Sequence, residues 1–212
     1  MNEYLGPAQY IDSAHPAVAA FSAQHASGAS PREKAVALYY AVRDGIRYNP
    51  FIDVSRPEAF RASSVLAAGE GFCIGKAALL AAAARVAGIP ARVGFADVRN
   101  HLSTPRLAET MGTDLFAYHG FTELFLEEKW VKATPSFNLA LCRRFRVKPL
   151  EFDGRADAIF HPFDEDDRLH MEYVRSRGSF ADVPTAEIQK AFSELYPKFY
   201  RLGAAAAKET FG

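Results

Sequence analysis

Between Cys73 and Ala87 the chain reads CIGKAALLAAAARVA, a run of strong helix formers with no proline. It stops at Gly88-Ile89-Pro90, where glycine takes the left-handed cap conformation and proline cannot continue a helix. The next residues, Ala91-Arg92-Val93-Gly94-Phe95-Ala96-Asp97-Val98, read as a strand leaving the helix end for a sheet. A capped helix delivering its chain straight into a sheet restricts the fold more than any other segment, and it puts Cys73 at the helix start.

The flanking segments supply a wall and a hairpin. After a turn at Gly6-Pro7, residues Asp12 to Ala26 and Pro31 to Gly45 read as amphipathic helices. In the second, Ser30 is the N-cap, Pro31 the first helical residue and Glu33 a carboxylate at the positive helix end, with Ala35, Leu38, Tyr39 and Val42 on one face. Asn49 to Arg56 is loop, leading to a short helical piece that ends near Ala68. The stretch from Asn100 to Thr113 has turn residues and no sustained period, which predicts a long loop. His119, Phe121, Glu123 and Phe125 then alternate as in a strand, Glu127-Glu128-Lys129 turns the chain, and Trp130 to Thr134 forms the antiparallel return. A short helix is predicted over Leu139 to Phe145, then a stretch rich in Asp and aromatics from Glu151 to Tyr173. The last helix opens at Pro184-Thr185 and runs to about Leu202, with a helical tail over Ala204 to Ala207.

At 212 residues and 49% hydrophobic side chains, the chain is sufficient for one domain with a buried core. We divide it into an arm over 1–30, a core over 31–138 and an extension over 139–212. Twenty-five basic and twenty-five acidic residues give zero formal charge, so no field favours a nucleic acid or an acidic membrane as partner. There is no apolar run of bilayer length, and Met1-Asn2-Glu3-Tyr4 lacks the order of a secretory signal, so the expected compartment is the cytoplasm. Cys73 and Cys142 alone build neither a disulfide framework nor a thiolate zinc site, and no metal or other cofactor is expected.

A cysteine thiol becomes a nucleophile as its thiolate, and the unpaired N–H groups of a helix start favour that form. Cys73 is therefore the candidate nucleophile, its own N–H a candidate oxyanion donor, and His119 at the head of the strand the candidate base. Cys142 has no such context and is expected to be structural. Lys76, one turn after Cys73, is expected to face solvent or pair with a carboxylate, and Trp130 to pack in the core beneath the hairpin. His161, Asp164, Asp166, Asp167 and His170 match no metal-ligand spacing and are read as turn-rich surface. Arg143, Arg144, Arg146 and Lys148 are read as its ion-pairing partners.

Taken together, Gly71-Phe72-Cys73, Lys76-Ala77, Leu79-Leu80, Gly88-Ile89-Pro90-Ala91-Arg92, Tyr118-His119-Gly120-Phe121-Thr122-Glu123 and Lys129-Trp130-Val131 resemble the transglutaminase-like superfamily over roughly residues 31 to 138. The resemblance implies an α+β, papain-like core in which a Cys-bearing helix packs on an antiparallel sheet carrying His119, and acyl transfer through a thioester. Its members include protein crosslinkers, peptidases, amidases and deamidases, so the substrate class is a peptide, a protein or a small amide, and a narrow closed pocket would favour the last. The family's third residue, an aspartate before a Pro-Thr pair, corresponds to Thr134 in Trp130-Val131-Lys132-Ala133-Thr134-Pro135-Ser136. Three readings stay open: Thr134 orients His119 as a neutral partner, Glu123 or Asp97 supplies the charge, or the site is degenerate and the domain binds without turnover. Phe72 and Tyr118 flank the two catalytic candidates, and Arg99 and His101 in the polar loop from Asp97 to His101 that leaves the core strand are candidates for holding a substrate carboxylate or amide.

Overall fold

The computed structural model describes residues 1–161 and 163–200. The predicted end of the last helix at Leu202 and the tail over Ala204 to Ala207 lie outside the described residues. Two helices open the chain, α1 (Pro16–His25) and α2 (Pro31–Gly45). The second starts with a complete capping box: Ser30 Oγ accepts the Glu33 N–H at 3.2 Å, while the Glu33 carboxylate accepts the Ser30 N–H at 2.9 Å. The first begins four residues later than predicted, because His15-Pro16 forms its entry, with His15 Nδ1 accepting the Ala17 N–H.

Strands β1 (Arg47–Tyr48) and β2 (Glu70–Gly71) form a short parallel pair that brackets α3 (Ala62–Ala68) and brings the chain to Phe72. Then comes α4 (Cys73–Val86), in which every residue from Cys73 to Arg85 is buried. It is the centre of the molecule, with α1, α2 and α3 against it on one side and a sheet on the other. Apolar on all faces, it belongs inside. Its two cations are satisfied there by backbone: Arg85 donates to the carbonyls of Gly6, Ala91 and Ala181. Lys76 Nζ donates to those of Arg43 (2.9 Å), Ile46 and Ser136 (2.8 Å). Lys76 is thus fully buried rather than facing solvent or a carboxylate. Three acceptors match the three donors of an ammonium, which is what makes that position tolerable.

The sheet contains β3 (Ala91–Asn100), β4 (Leu115–Leu126), β5 (Lys129–Ala133) and β6 (Met171–Phe180), in the order β5-β4-β3-β6 and antiparallel throughout. Between β3 and β4 the expected long loop contains α5 (Pro105–Met111), started by Thr104 Oγ1 accepting the Leu107 N–H and ended by Gly112 in the left-handed conformation. After β5 comes α6 (Leu139–Phe145), and after β6 the helix α7 (Thr185–Leu195). Among the described residues no helix is long and apolar enough to cross a membrane.

Helix α4 and strand β4 approach closely at one point. Thr122 Oγ1 donates to the Ala77 carbonyl at 2.8 Å, and one pleat earlier Gly120 lies against Ile74, where a Cβ would come within 2.9 Å of Ile74 Cα. Glycine is what allows this contact, which sets the start of α4 on the strand beside His119.

Two smaller expectations are corrected. Trp130 is half-buried on the outer side of the hairpin, with the Arg92 guanidinium 4.1 Å from its ring centroid and Tyr4 and Phe125 edge-on. The stretch after Glu151 does turn often, but His161, Asp164 and His170 are buried: His161 stacks on Phe137, and Asp164 pairs with Arg168. The basic residues pair as expected at Arg146 with Asp166 and at Lys148 with Asp167. Cys142 is buried, its thiol toward the Phe137 carbonyl.

Candidate active site

Cys73 and His119 line the same partly open cavity, whose remaining wall is mostly apolar: Phe72, Leu107, Met111, Phe116, Phe192 and Phe199 among others. Helix α4 places Cys73 in its first turn, where the N–H groups of Ile74 and of Cys73 itself have no partner inside the helix. Strand β4 brings the Gly120 N–H to the same sulfur. Burial acts against the thiolate more strongly than these three donors act for it, and the thiol is pushed up to about 11.

His119 is 4% exposed, and its ring lies 5.8 Å from that of Phe160, centroid to centroid. Burial, reinforced by the nearby His170, pulls it down to about 4. At neutral pH the pair is therefore thiol and imidazole, both uncharged.

The residue before His119 carries the backbone distortion that aims it. Tyr118 has φ of 55°, a left-handed conformation that costs a bulky residue about 1–3 kcal/mol. It sits opposite a bulge in β3, between Ala96 and Val98. The conformation is held by Asp97, whose Oδ1 accepts the Tyr118 N–H at 3.1 Å. The same carboxylate takes Arg175 at 2.7 Å and Arg177 at 2.9 Å from β6. Burial alone would raise Asp97, but Arg177, Arg175 and the Tyr118 N–H outweigh it and hold it below the usual carboxylate value.

This answers one of the open readings. Asp97 is committed to the arginines and to the backbone of Tyr118, and Glu123 pairs with Arg92, so neither carboxylate supplies charge to His119. Thr134 Oγ1 and His119 Nε2 are each buried with no hydrogen-bond partner, so the hydroxyl does not hold the imidazole in this state. Ser136 Oγ is in the same condition.

Among the groove candidates, Phe72 does wall the cavity. Tyr118 turns its ring away, against Phe95 and beneath the Arg177 guanidinium. Arg99 pairs with Asp114 and His101 with Glu172, and neither lines a cavity at the site. Their loop looked available because its strand partners lie far along the chain.

The sequence reading missed Tyr48, which lines the cavity from β1, and the cover made by α5 and the C-terminal segment. Tyr196 is part of that cover: its hydroxyl accepts the Ala117 N–H at 2.6 Å and donates to the Leu115 carbonyl at 2.9 Å, fixing the C-terminal segment beside His119. A long-range clamp of this kind leaves no local pattern in the sequence. Among the described residues no group of three or more His, Cys, Asp or Glu is placed to hold a metal ion.

The family model described as the transglutaminase-like superfamily matches residues 19–135. A comparison with curated proteins gave no match. Among solved structures, a proposed cysteine protease from Cytophaga hutchinsonii aligns with a TM-score of 0.47 at 15% identity, covering 84% of this chain and 53% of its own. The chain thus spans about half the length of that structure.

Proposed function

This chain belongs to the transglutaminase-like superfamily, and we propose that it performs cysteine-dependent acyl transfer or hydrolysis on a small amide, with Cys73 as nucleophile and His119 as base. The reading rests on one observation: Cys73 and His119 face a common cavity, with the N–H groups of Gly120, Ile74 and Cys73 gathered at the sulfur. The cavity is mostly apolar and only partly open to solvent, which suits a small acyl group.

In this scheme the Cys73 sulfur attacks the amide carbonyl as its proton passes to His119. The carbonyl oxygen takes the negative charge, and backbone N–H groups at the start of α4 stabilise it. The C–N bond breaks and the amine leaves with the proton from His119. Water or an amine then attacks the thioester and gives a proton to His119, which returns it to the departing sulfur.

One observation favours a second reading, a domain of the same fold without turnover. Thiol and imidazole are both neutral, and His119 Nε2 has no hydrogen-bond partner. A burst assay with p-nitrophenyl acetate separates the two. The enzyme reading expects rapid p-nitrophenol release, acetylation of the Cys73 peptide by mass, and loss of the burst in Cys73→Ala and His119→Ala. If Cys73 acetylates no faster than a free thiol, and His119→Ala changes nothing, the non-catalytic reading stands.

A further inference from the structure

A second cavity adjoins the first. It is partly open to solvent, lies between the β3–α5 connection and α6, and shares Tyr48, Leu107, Phe116 and His119 with the Cys73 cavity. His119 therefore sits at the junction of two chambers. The far walls of the second are Phe137, Leu141, Phe145, Val147, His170 and Met171, all beyond the residues 19–135 matched by the family model. The extension after the core thus builds a chamber against the candidate base.

Its lining contains no Asp, Glu, Lys or Arg. Six of its fourteen lining residues have polar side chains, and three of these have a buried atom without a hydrogen-bond partner: His170 Nδ1, His119 Nε2 and Ser103 Oγ. The His170 residue is 3% exposed. Buried polar atoms are normally paired, and leaving one unpaired costs about 1–3 kcal/mol. A mostly apolar cavity whose wall carries a few polar side chains with unmet hydrogen-bonding capacity is what a ligand-binding site presents. Burial also pulls His170 down to about 4, so its ring is neutral at pH 7 and offers no charge to an anion.

We infer that the His170 chamber binds the acyl acceptor, a small uncharged molecule with an apolar body and one hydroxyl or neutral amine that hydrogen-bonds the two imidazoles. This rests on the acyl-transfer reading above. The hydroxyl of the acceptor gives its proton to His119 as its oxygen attacks the Cys73 thioester carbonyl. The C–S bond breaks, and the proton passes from His119 to the sulfur, giving an ester and a free thiol.

The test uses benzyl alcohol as the probe on the full chain, read by NMR of the His119 and His170 rings and by products from acetylated Cys73. The expected result is saturable binding that shifts both rings, with benzyl acetate formed in place of acetate. Leu141→Trp, which fills the chamber from α6 without touching Cys73 or His119, should abolish both effects while hydrolysis by water continues. His170→Phe keeps the apolar shape and should weaken binding at least 10-fold, and it serves if the tryptophan variant fails to fold. Benzoate or benzylammonium binding as well as benzyl alcohol would overturn the inference, as would acetyl-Cys73 hydrolysing with no ring shift and no benzyl acetate. Ring shifts without any acetylation of Cys73 would instead overturn the acyl-transfer reading and leave the chamber a binding site only.

Discussion

The contact between Gly120 and Ile74 is the most direct link from packing to chemistry, and Gly120→Ala tests it. An alanine Cβ would lie 2.9 Å from Ile74 Cα and 3.2 Å from both Ile74 N and Cγ1. Two of these three atoms are backbone, so no rotamer change relieves the clash. Carbon contacts are most favourable at about 3.5–4.0 Å, so the start of α4 must withdraw from β4 by about 0.6–1 Å. Forcing a methyl into a packed interface costs about 1–3 kcal/mol. At about 2 kcal/mol, a chain of this size should melt about 4–8 °C lower. The movement also draws Cys73 away from the Gly120 N–H and from His119, and a misplacement near 1 Å costs on the order of 100-fold in rate. The assay is urea denaturation alongside the p-nitrophenyl acetate burst. Gly45→Ala is the control: it ends α2 with no neighbour within 4 Å of a new Cβ, and should be neutral or stabilising by about 0.5–1 kcal/mol. If Gly120→Ala keeps the parental stability within about 0.5 kcal/mol and acylates at the parental rate, the helix is not pinned to the strand at this point.

Lys76→Met keeps the length of the side chain but leaves the carbonyls of Arg43, Ile46 and Ser136 without their shared donor; we expect a loss of about 2–4 kcal/mol in urea denaturation, and no change would mean those carbonyls are satisfied otherwise. Burial lowers His119, His161 and His170 to about 4, 3 and 4, so between pH 6.5 and 4 the unfolded chain binds more protons at these sites than the folded one. Stability is then expected to fall as the pH drops through that window, and His161→Phe should flatten the slope; a parental slope in that variant refutes the assignment. Thr134→Val replaces a buried hydroxyl that has no partner, so stability should hold or rise by up to about 1 kcal/mol with the burst rate within about 3-fold of the parent. A fall of more than about 10-fold would place that hydroxyl on the imidazole during reaction.

The parts of the fold that the sequence disclosed are those specified locally. Ser30, Pro31 and Glu33 announce the start of α2, and the run from Cys73 to Gly88-Ile89-Pro90 announces α4 and its end. The hairpin after His119 was legible from alternation and the Glu127-Glu128 turn, both of whose residues have positive φ. Strand β6 was not. It lies at the edge of the sheet, and Glu172 to Ser176 are all exposed, so no apolar alternation marks it. Charged side chains on an edge strand guard against pairing with other chains and hide the strand from a hydrophobic pattern. Helix α5 is seven residues long, too short for a period to emerge. In the site, Cys73 and His119 carried motif and position, whereas the roles of Asp97, Lys76 and His170 depend on contacts across 20 to 80 residues of chain.

The electrostatics of the site bear on the missing aspartate. In an ion-pair mechanism a carboxylate beside the imidazole stabilises the imidazolium, and it repays its own burial only if the cation is present. Position 134 is 1% exposed, so a carboxylate there would lose several kcal/mol of hydration. With Cys73 at about 11 and His119 at about 4, no resting cation is available to offset that loss. A neutral side chain at position 134 is the consistent choice for a neutral pair. The proposed reaction then requires proton transfer from Cys73 to His119 as the S–C bond forms, so that charge appears only as the transition state is approached. At that stage the Gly120, Ile74 and Cys73 N–H groups are already in place around the sulfur, and the apolar walls of both chambers strengthen their effect. An acceptor that arrives uncharged fits this arrangement for the same reason: it brings no charge whose hydration the chamber would have to strip.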